Sequence, residues 1–142
     1  MTVPAARGML DTSTVILLGE LSDPQVLPDE CVISAVTLAE LSVGPHVART
    51  ARERAARQAH LQQAEADFEA LPFDSASARA FGRVASSLRQ AGRKPAARAY
   101  DALIAASAIA HDLPLYTCNP ADFVGVDGLV VHAVPNPRQP RR

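Results

Sequence analysis

Apolar and polar positions along the chain switch repeatedly between the period of a strand and that of a helix. Gly8-Met9-Leu10 is a short apolar run ending at Asp11, and Thr12 to Leu21 then carries Val15, Ile16 and Leu18 on a helical pattern. Asp23-Pro24 and Leu27-Pro28-Asp29 punctuate the next stretch before the β-rich run Cys31-Val32-Ile33, which predicts a second strand. The helix it feeds is expected from Thr37 to about Val43, stopped by Gly44-Pro45. From His46 to about Ala70 the chain is rich in Ala, Arg, Gln and Glu without Gly or Pro, as in a long polar helix or helical pair. Leu71-Pro72-Phe73 is a short strand candidate, and Asp74 and Ser75 fit the cap of a helix running to Ala91-Gly92. Lys94-Pro95 breaks the pattern. Ala96 to His111 is almost wholly Ala, Leu and Ile apart from Tyr100, Asp101 and Ser107, and is expected to be largely buried. Leu113 to Thr117 and Leu129-Val130-Val131 are the remaining strand candidates. Strands alternating with helices predict an α/β fold with a parallel sheet covered on both faces.

Composition narrows the picture. A chain of 142 residues fits one domain with one core. Aromatic residues are 4% and Trp is absent, so that core must be built from Ala, Leu and Val. The formal net charge of -1 gives no global positive field, so any contact with nucleic acid must come from local groups of Arg. Cys31 and Cys118 lie far apart with no CxxC spacing, which indicates buried thiols rather than a zinc site or disulfide scaffold. Met1 to Leu10 lacks the basic-then-apolar build of a signal peptide, and no apolar stretch approaches the roughly 20 residues that span a bilayer. A soluble, cytoplasmic protein without a membrane segment is expected. The Pro- and Arg-rich stretch 135–142 has nothing to bury and reads as a flexible tail on a domain covering 8–134.

In parallel α/β folds ligands gather beyond the carboxyl ends of the strands. The polar residues there are mostly acidic: Asp11 after the first strand, Glu40 in the first turns after the second, and Asn119 and Asp122 after the strand ending at Thr117. Each also has a plain structural role open to it. Asp11 fits a helix cap, Glu40 stands at capping-box spacing from Thr37, and Asn119 and Asp122 flank Pro120 as in a turn. Asp101 differs, because a carboxylate inside so apolar a helix requires a cation or hydrogen-bonding partners. Arg98, three positions earlier, could pair with it. The alternative is that several carboxylates converge on a hard divalent cation such as Mg²⁺ or Mn²⁺.

Four segments in series decide the comparison with known families: Leu10-Asp11-Thr12-Ser13, Thr37-Leu38-Ala39-Glu40-Leu41 with Gly44, Tyr100 to Ala106, and Thr117 to Phe123. Together they resemble the VapC-type PIN-domain ribonuclease toxins of bacterial toxin-antitoxin pairs, from about Gly8 to Val134. The resemblance implies a three-layer α/β/α sandwich with a short parallel sheet, and an acidic pocket that holds Mg²⁺ or Mn²⁺ and cleaves RNA. Asp11, Glu40 and Asp101 match the three leading acids. At the fourth position Asn119 stands where other members have Asp, and Asp122 follows three residues later, so both are candidate ligands. Thr12, Ser13 and Thr117 match hydroxyl positions suited to a water, a metal-bound carboxylate or the scissile phosphate. A VapB-like antitoxin and a homodimer are the implied partners.

Two rival functions compete for these residues. An aspartate-based phosphatase wants a second Asp two residues after Asp11, where Ser13 stands. A PIN fold kept only as a catalytically impaired binding module would explain Asn119. For RNA contact, Arg93, Lys94 and Arg98 beside the acidic helix are preferred over Arg49, Arg52, Arg54 and Arg57, which read as a solvated helix face. His46, His60, His111 and His132 form no HExxH or paired motif and are expected to be surface or structural residues.

Overall fold

In the computed structural model, which describes residues 5–139, the five strands form one parallel sheet. They are β1 (Arg7–Leu10), β2 (Glu30–Ser34), β3 (Glu69–Leu71), β4 (Leu115–Thr117) and β5 (Val131–Ala133), in the spatial order β3-β2-β1-β4-β5. The helices are α1 (Thr12–Leu17), α2 (Ala35–Val43), α3 (Ala51–Asp67), α4 (Ser75–Gln90) and α5 (Ala99–Ala110). Short 3-10 turns follow α1 and α2 and precede α5.

Alternation along the strands sorts side chains onto two faces. Met9, Val32 and Leu115 enter one buried cluster with Ala80, Val84 and Leu88 of α4 and with Ile104, Ala105 and Ala108 of α5. Their neighbours Leu10, Ile33 and Tyr116 enter the other, with Val15 and Leu17 of α1 and Ala64 of α3. Helix α2 contributes Val36 to the first cluster and Leu41 to the second. The result is the expected three-layer sandwich. Each large apolar side chain so buried contributes roughly 1.5–3 kcal/mol.

Local chemistry moves several boundaries away from the apolar pattern. Helix α2 starts at Ala35, because Ser34 is extended and its Oγ accepts from the Val36 N–H at 3.0 Å. The polar stretch is one helix, α3, opened by the Thr50 hydroxyl, which accepts from the Glu53 N–H at 3.0 Å. Strand β3 is Glu69–Leu71, two residues earlier than expected, since Pro72 has no N–H for a ladder. Helix α5 begins at Ala99, behind a 3-10 turn over Pro95–Arg98. Strand β5 is Val131–Ala133, pairing with Leu115–Thr117, so the apolar Leu129 and Val130 precede it.

Residues 140–142 of the expected flexible tail lie outside the described residues, as do residues 1–4 of the N-terminal stretch expected to lack a signal peptide. Within the described part, Arg138 pairs with Glu20 at 2.7 Å, just beyond α1. No helix among the described residues is long and apolar enough to cross a membrane.

Candidate active site

The register Leu10↔Tyr116 sets the ends of β1 and β4 side by side at the point where the strand order reverses. Asp11, only 3% exposed, therefore faces Thr117 across the crevice. Its carboxylate accepts from Thr117 Oγ1 at 2.7 Å, Thr14 Oγ1 at 2.6 Å, the Thr14 N–H at 3.1 Å and Ser13 Oγ at 3.1 Å. Asp11 is thus the cap of α1 and a fixed carboxylate of the crevice at once; the two roles do not compete. Thr12 Oγ1 donates to Thr37 Oγ1 at 3.2 Å and ties the start of α1 to α2. Thr14, which the sequence did not single out, also accepts from the Cys118 N–H at 3.1 Å and so locks α1 to the end of β4.

Glu40 lies one turn beyond Thr37 on α2. The capping-box role offered for it does not occur, because Ser34 is the cap and Thr37 is a buried residue inside the helix. Glu40 Oε1 is instead buried without a hydrogen-bond partner, one of two such side-chain atoms among the described residues, with Ser107 Oγ. A desolvated carboxylate oxygen left unpaired is costly, and this one belongs to an acid whose charge acts on Asp101.

Asp101, with a side chain 23% exposed, has its pKa pushed up to about 6. Desolvation is the main cause, followed by the charges of Asp122, Glu40 and Asp11, while Arg98 pulls the other way. Four carboxylates thus share one electrostatic environment. Arg98 Nη1 stands 3.2 Å from Asp122 Oδ1 and 3.7 Å from Asp101 Oδ2, so the ion pair anticipated from spacing exists and extends to a second acid. Asn119 is engaged elsewhere, its Oδ1 accepting from Asn136 Nδ2 at 3.3 Å.

A cavity of about 370 Å³ opens beside these acids, lined by Arg93, Lys94, Arg98, Asp101, Asp122 and, on its apolar side, Phe123 and its neighbours. The Arg93 guanidinium donates to the Val124 and Ala121 carbonyls and ties the Pro120–Phe123 turn to the segment just beyond α4. Arg54 and Arg57 likewise donate to the Pro45 and Gly44 carbonyls, 3.4 and 3.0 Å away. His132 stacks on Tyr116 with centroids 4.7 Å apart, and His111 Nε2 lies 3.1 Å from the Pro72 carbonyl, so both are structural. Both cysteines are free, and burial pushes their thiols up.

In chemical type the donor set suits a hard divalent cation: carboxylate oxygens only, one of them buried and unpaired, around an acid whose own ionisation the others oppose. Among the described residues no three of these groups stand at coordinating separation as they are, and a guanidinium spans two of them.

Fold and site together define a doubly wound α/β protein with an acidic cluster at its switch point. The chain belongs to the PIN-domain family, whose model matches residues 9–129. It is 42% identical over 129 residues to Ribonuclease VapC5 of Mycobacterium tuberculosis, covering 89% of this chain and 92% of that one. Over 129 residues it is 30% identical to Ribonuclease VapC1 of Rickettsia felis, covering 89% and 95%. The crystal structure of VapBC-5 from Mycobacterium tuberculosis, a member of the VapBC family of toxin-antitoxin systems, contains a chain that matches with a TM-score of 0.77 at 38% identity, covering 91% of this chain and 99% of that one.

Proposed function

We propose that this protein is the toxin of a toxin-antitoxin pair and a Mg²⁺- or Mn²⁺-dependent endoribonuclease acting in the cytoplasm. The observation that carries the metal assignment is the unpaired buried oxygen of Glu40 within a cluster whose other acids raise the pKa of Asp101. Asp11, Glu40, Asp101 and Asp122 would hold the cation, with Asp122 rather than Asn119 as the fourth carboxylate, since Asn119 is already bonded to Asn136. The chemistry supplied on binding is activation of a water and neutralisation of charge on the scissile phosphate.

The chain's own residues do the rest. Asp11 is held in one orientation by Ser13, Thr14 and Thr117, so the carboxylate is fixed in the crevice before any ligand arrives. Lys94 and Arg98 line the cavity beside the acids and supply the positive charge that an RNA backbone requires in a chain of nearly neutral net charge. Arg93 serves the site by fixing the turn that carries Asp122. An aspartate-based phosphatase is disfavoured by Ser13, whose hydroxyl is spent on Asp11 where that chemistry needs a second carboxyl.

The similar structure from Mycobacterium tuberculosis is a member of the VapBC family of toxin-antitoxin systems, which supports a VapB-like antitoxin as partner; a homodimer is proposed beside it. The test is incubation of purified protein with total RNA in Mg²⁺, Mn²⁺ or EDTA, followed by mapping of fragment ends. Discrete fragments that require the cation and vanish with Asp11→Asn are expected. Cleavage that persists in EDTA, or in the Asp11→Asn chain, refutes the assignment.

A further inference from the structure

The acids of the site are not equally provided with counter-charge. Among the described residues, Asp101 and Asp122 share Arg98, whereas no cation stands within ion-pair distance of Asp11 or Glu40. Of the three basic residues lining the adjoining cavity, Arg93 is committed to the backbone carbonyls of the Pro120–Phe123 segment and its successor, and Lys94 makes no ion pair. Among the described residues Arg98 alone reaches the acids. It occupies the N-cap position of α5, with φ -136 and ψ 57, so its side chain leaves the chain ahead of the helix and folds back over Asp101. The guanidinium carries no buried anchor: its side chain is 55% exposed, against 23% for each carboxyl partner.

We propose that Arg98 is an internal placeholder cation, seated between Asp101 and Asp122 where a divalent cation must displace it. The proposal rests on the metal-dependent reading of the site given above. A carboxylate oxygen facing a guanidinium at 3.2 Å has that lone pair engaged, and a metal ion and an arginine cannot approach the same oxygens from the same side. Arginine does not lose its charge in the accessible pH range, so the competition persists wherever the acids are ionised. In the metal-free protein the same contact offsets repulsion between the two acids, and Arg98 is thereby a positioning residue that sets how much free cation the site needs before it loads. High exposure keeps the effect modest, since solvent-screened pairs contribute little each.

The test is direct Mn²⁺ binding to the purified full chain at pH 8, read as the loss of free Mn²⁺ signal in electron paramagnetic resonance. Wild type, Arg98→Gln and Arg98→Lys are compared, with circular dichroism confirming the fold. Arg98→Gln should bind about threefold to tenfold more tightly than wild type, with Arg98→Lys in between because the charge remains without the planar fork. Binding by wild type with equal or weaker affinity in Arg98→Gln overturns the placeholder and leaves the metal reading standing. No Mn²⁺ binding by any of the three chains overturns the metal reading and the placeholder with it.

Discussion

Replacing Asp101 by Asn should stabilise the metal-free protein, an unusual expectation for removal of a site residue. In the folded chain burial lifts this carboxyl first, and the charges of Asp122, Glu40 and Asp11 add to it, taking the pKa from an ordinary 3.8 to about 6. Each tenfold change in proton affinity is about 1.4 kcal/mol, so holding Asp101 ionised at neutral pH costs the fold about 3 kcal/mol at most. The sign follows from proton counts. Between pH 4 and 6 the folded state binds more protons than the unfolded one, so Asp101 makes stability fall as pH rises through that window, and above pH 6 the loss is complete. Asn removes the loss, but Arg98 gives up one partner and the amide is itself partly buried, each subtracting up to about 1 kcal/mol.

A net gain of about 1–2 kcal/mol is therefore expected for Asp101→Asn at pH 7.5 in EDTA, or roughly 3–6 °C in melting temperature for a domain of this size. Urea unfolding at pH 7.5 and at pH 4.5 measures it, and the advantage should shrink at the lower pH. With Mn²⁺ at a hundredfold excess over its dissociation constant the order should reverse, because wild type alone gains about 2.7 kcal/mol. An Asn variant no more stable than wild type at pH 7.5 in EDTA, or one with the same advantage at both pH values, refutes the reasoning.

Asp122→Asn should weaken Mn²⁺ binding at least tenfold while Asn119→Ala leaves it within about twofold; the reverse pattern by calorimetry would make Asn119 the ligand. Thr14→Val should cost about 1–3 kcal/mol by urea midpoint at unchanged slope, because Asp11 loses a buried donor and the Cys118 N–H its acceptor. A homodimer is expected in sedimentation velocity at micromolar concentration, in keeping with the proposed toxin role; a clean monomer across that range would be the contrary result.

The fold class was legible because period changes along the chain mark each strand-to-helix transition, and because Asp74, Gly44 and Pro95 punctuate them. Strand limits were less so. Leu129 and Val130 look like a strand from apolarity, yet the ladder requires the residues that face Leu115–Thr117, and those are Val131–Ala133. Among site residues, local spacing could not separate a cap from a ligand. For Glu40 the capping box fails because Ser34 caps α2 in place of Thr37; Asp11 caps α1 and still presents its carboxylate to the crevice. Thr14 left no mark in the sequence, as its partners Asp11 and Cys118 meet only when β1 and β4 pair.

The acids come from four separate elements, the end of β1, α2, α5 and the turn after β4, and that dispersal is what lets the fold bear their repulsion. A cluster within one element would oppose that element's formation directly, whereas here each acid is a single charge on a segment secured by something else. Helix α5 shows the principle. Asp101 sits in its first turn, and Ile104, Ala105, Ala106 and Ala108 beyond it are all 0% exposed, so the helix is anchored by close packing against α4 and the sheet before any charge is counted. Alanine suits this because it allows helix and sheet to approach closely and loses no side-chain entropy. Strain from Asp101 is then confined to the start of α5, beside the cavity and next to Arg98, where the proposed cation would relieve it without any change in the core.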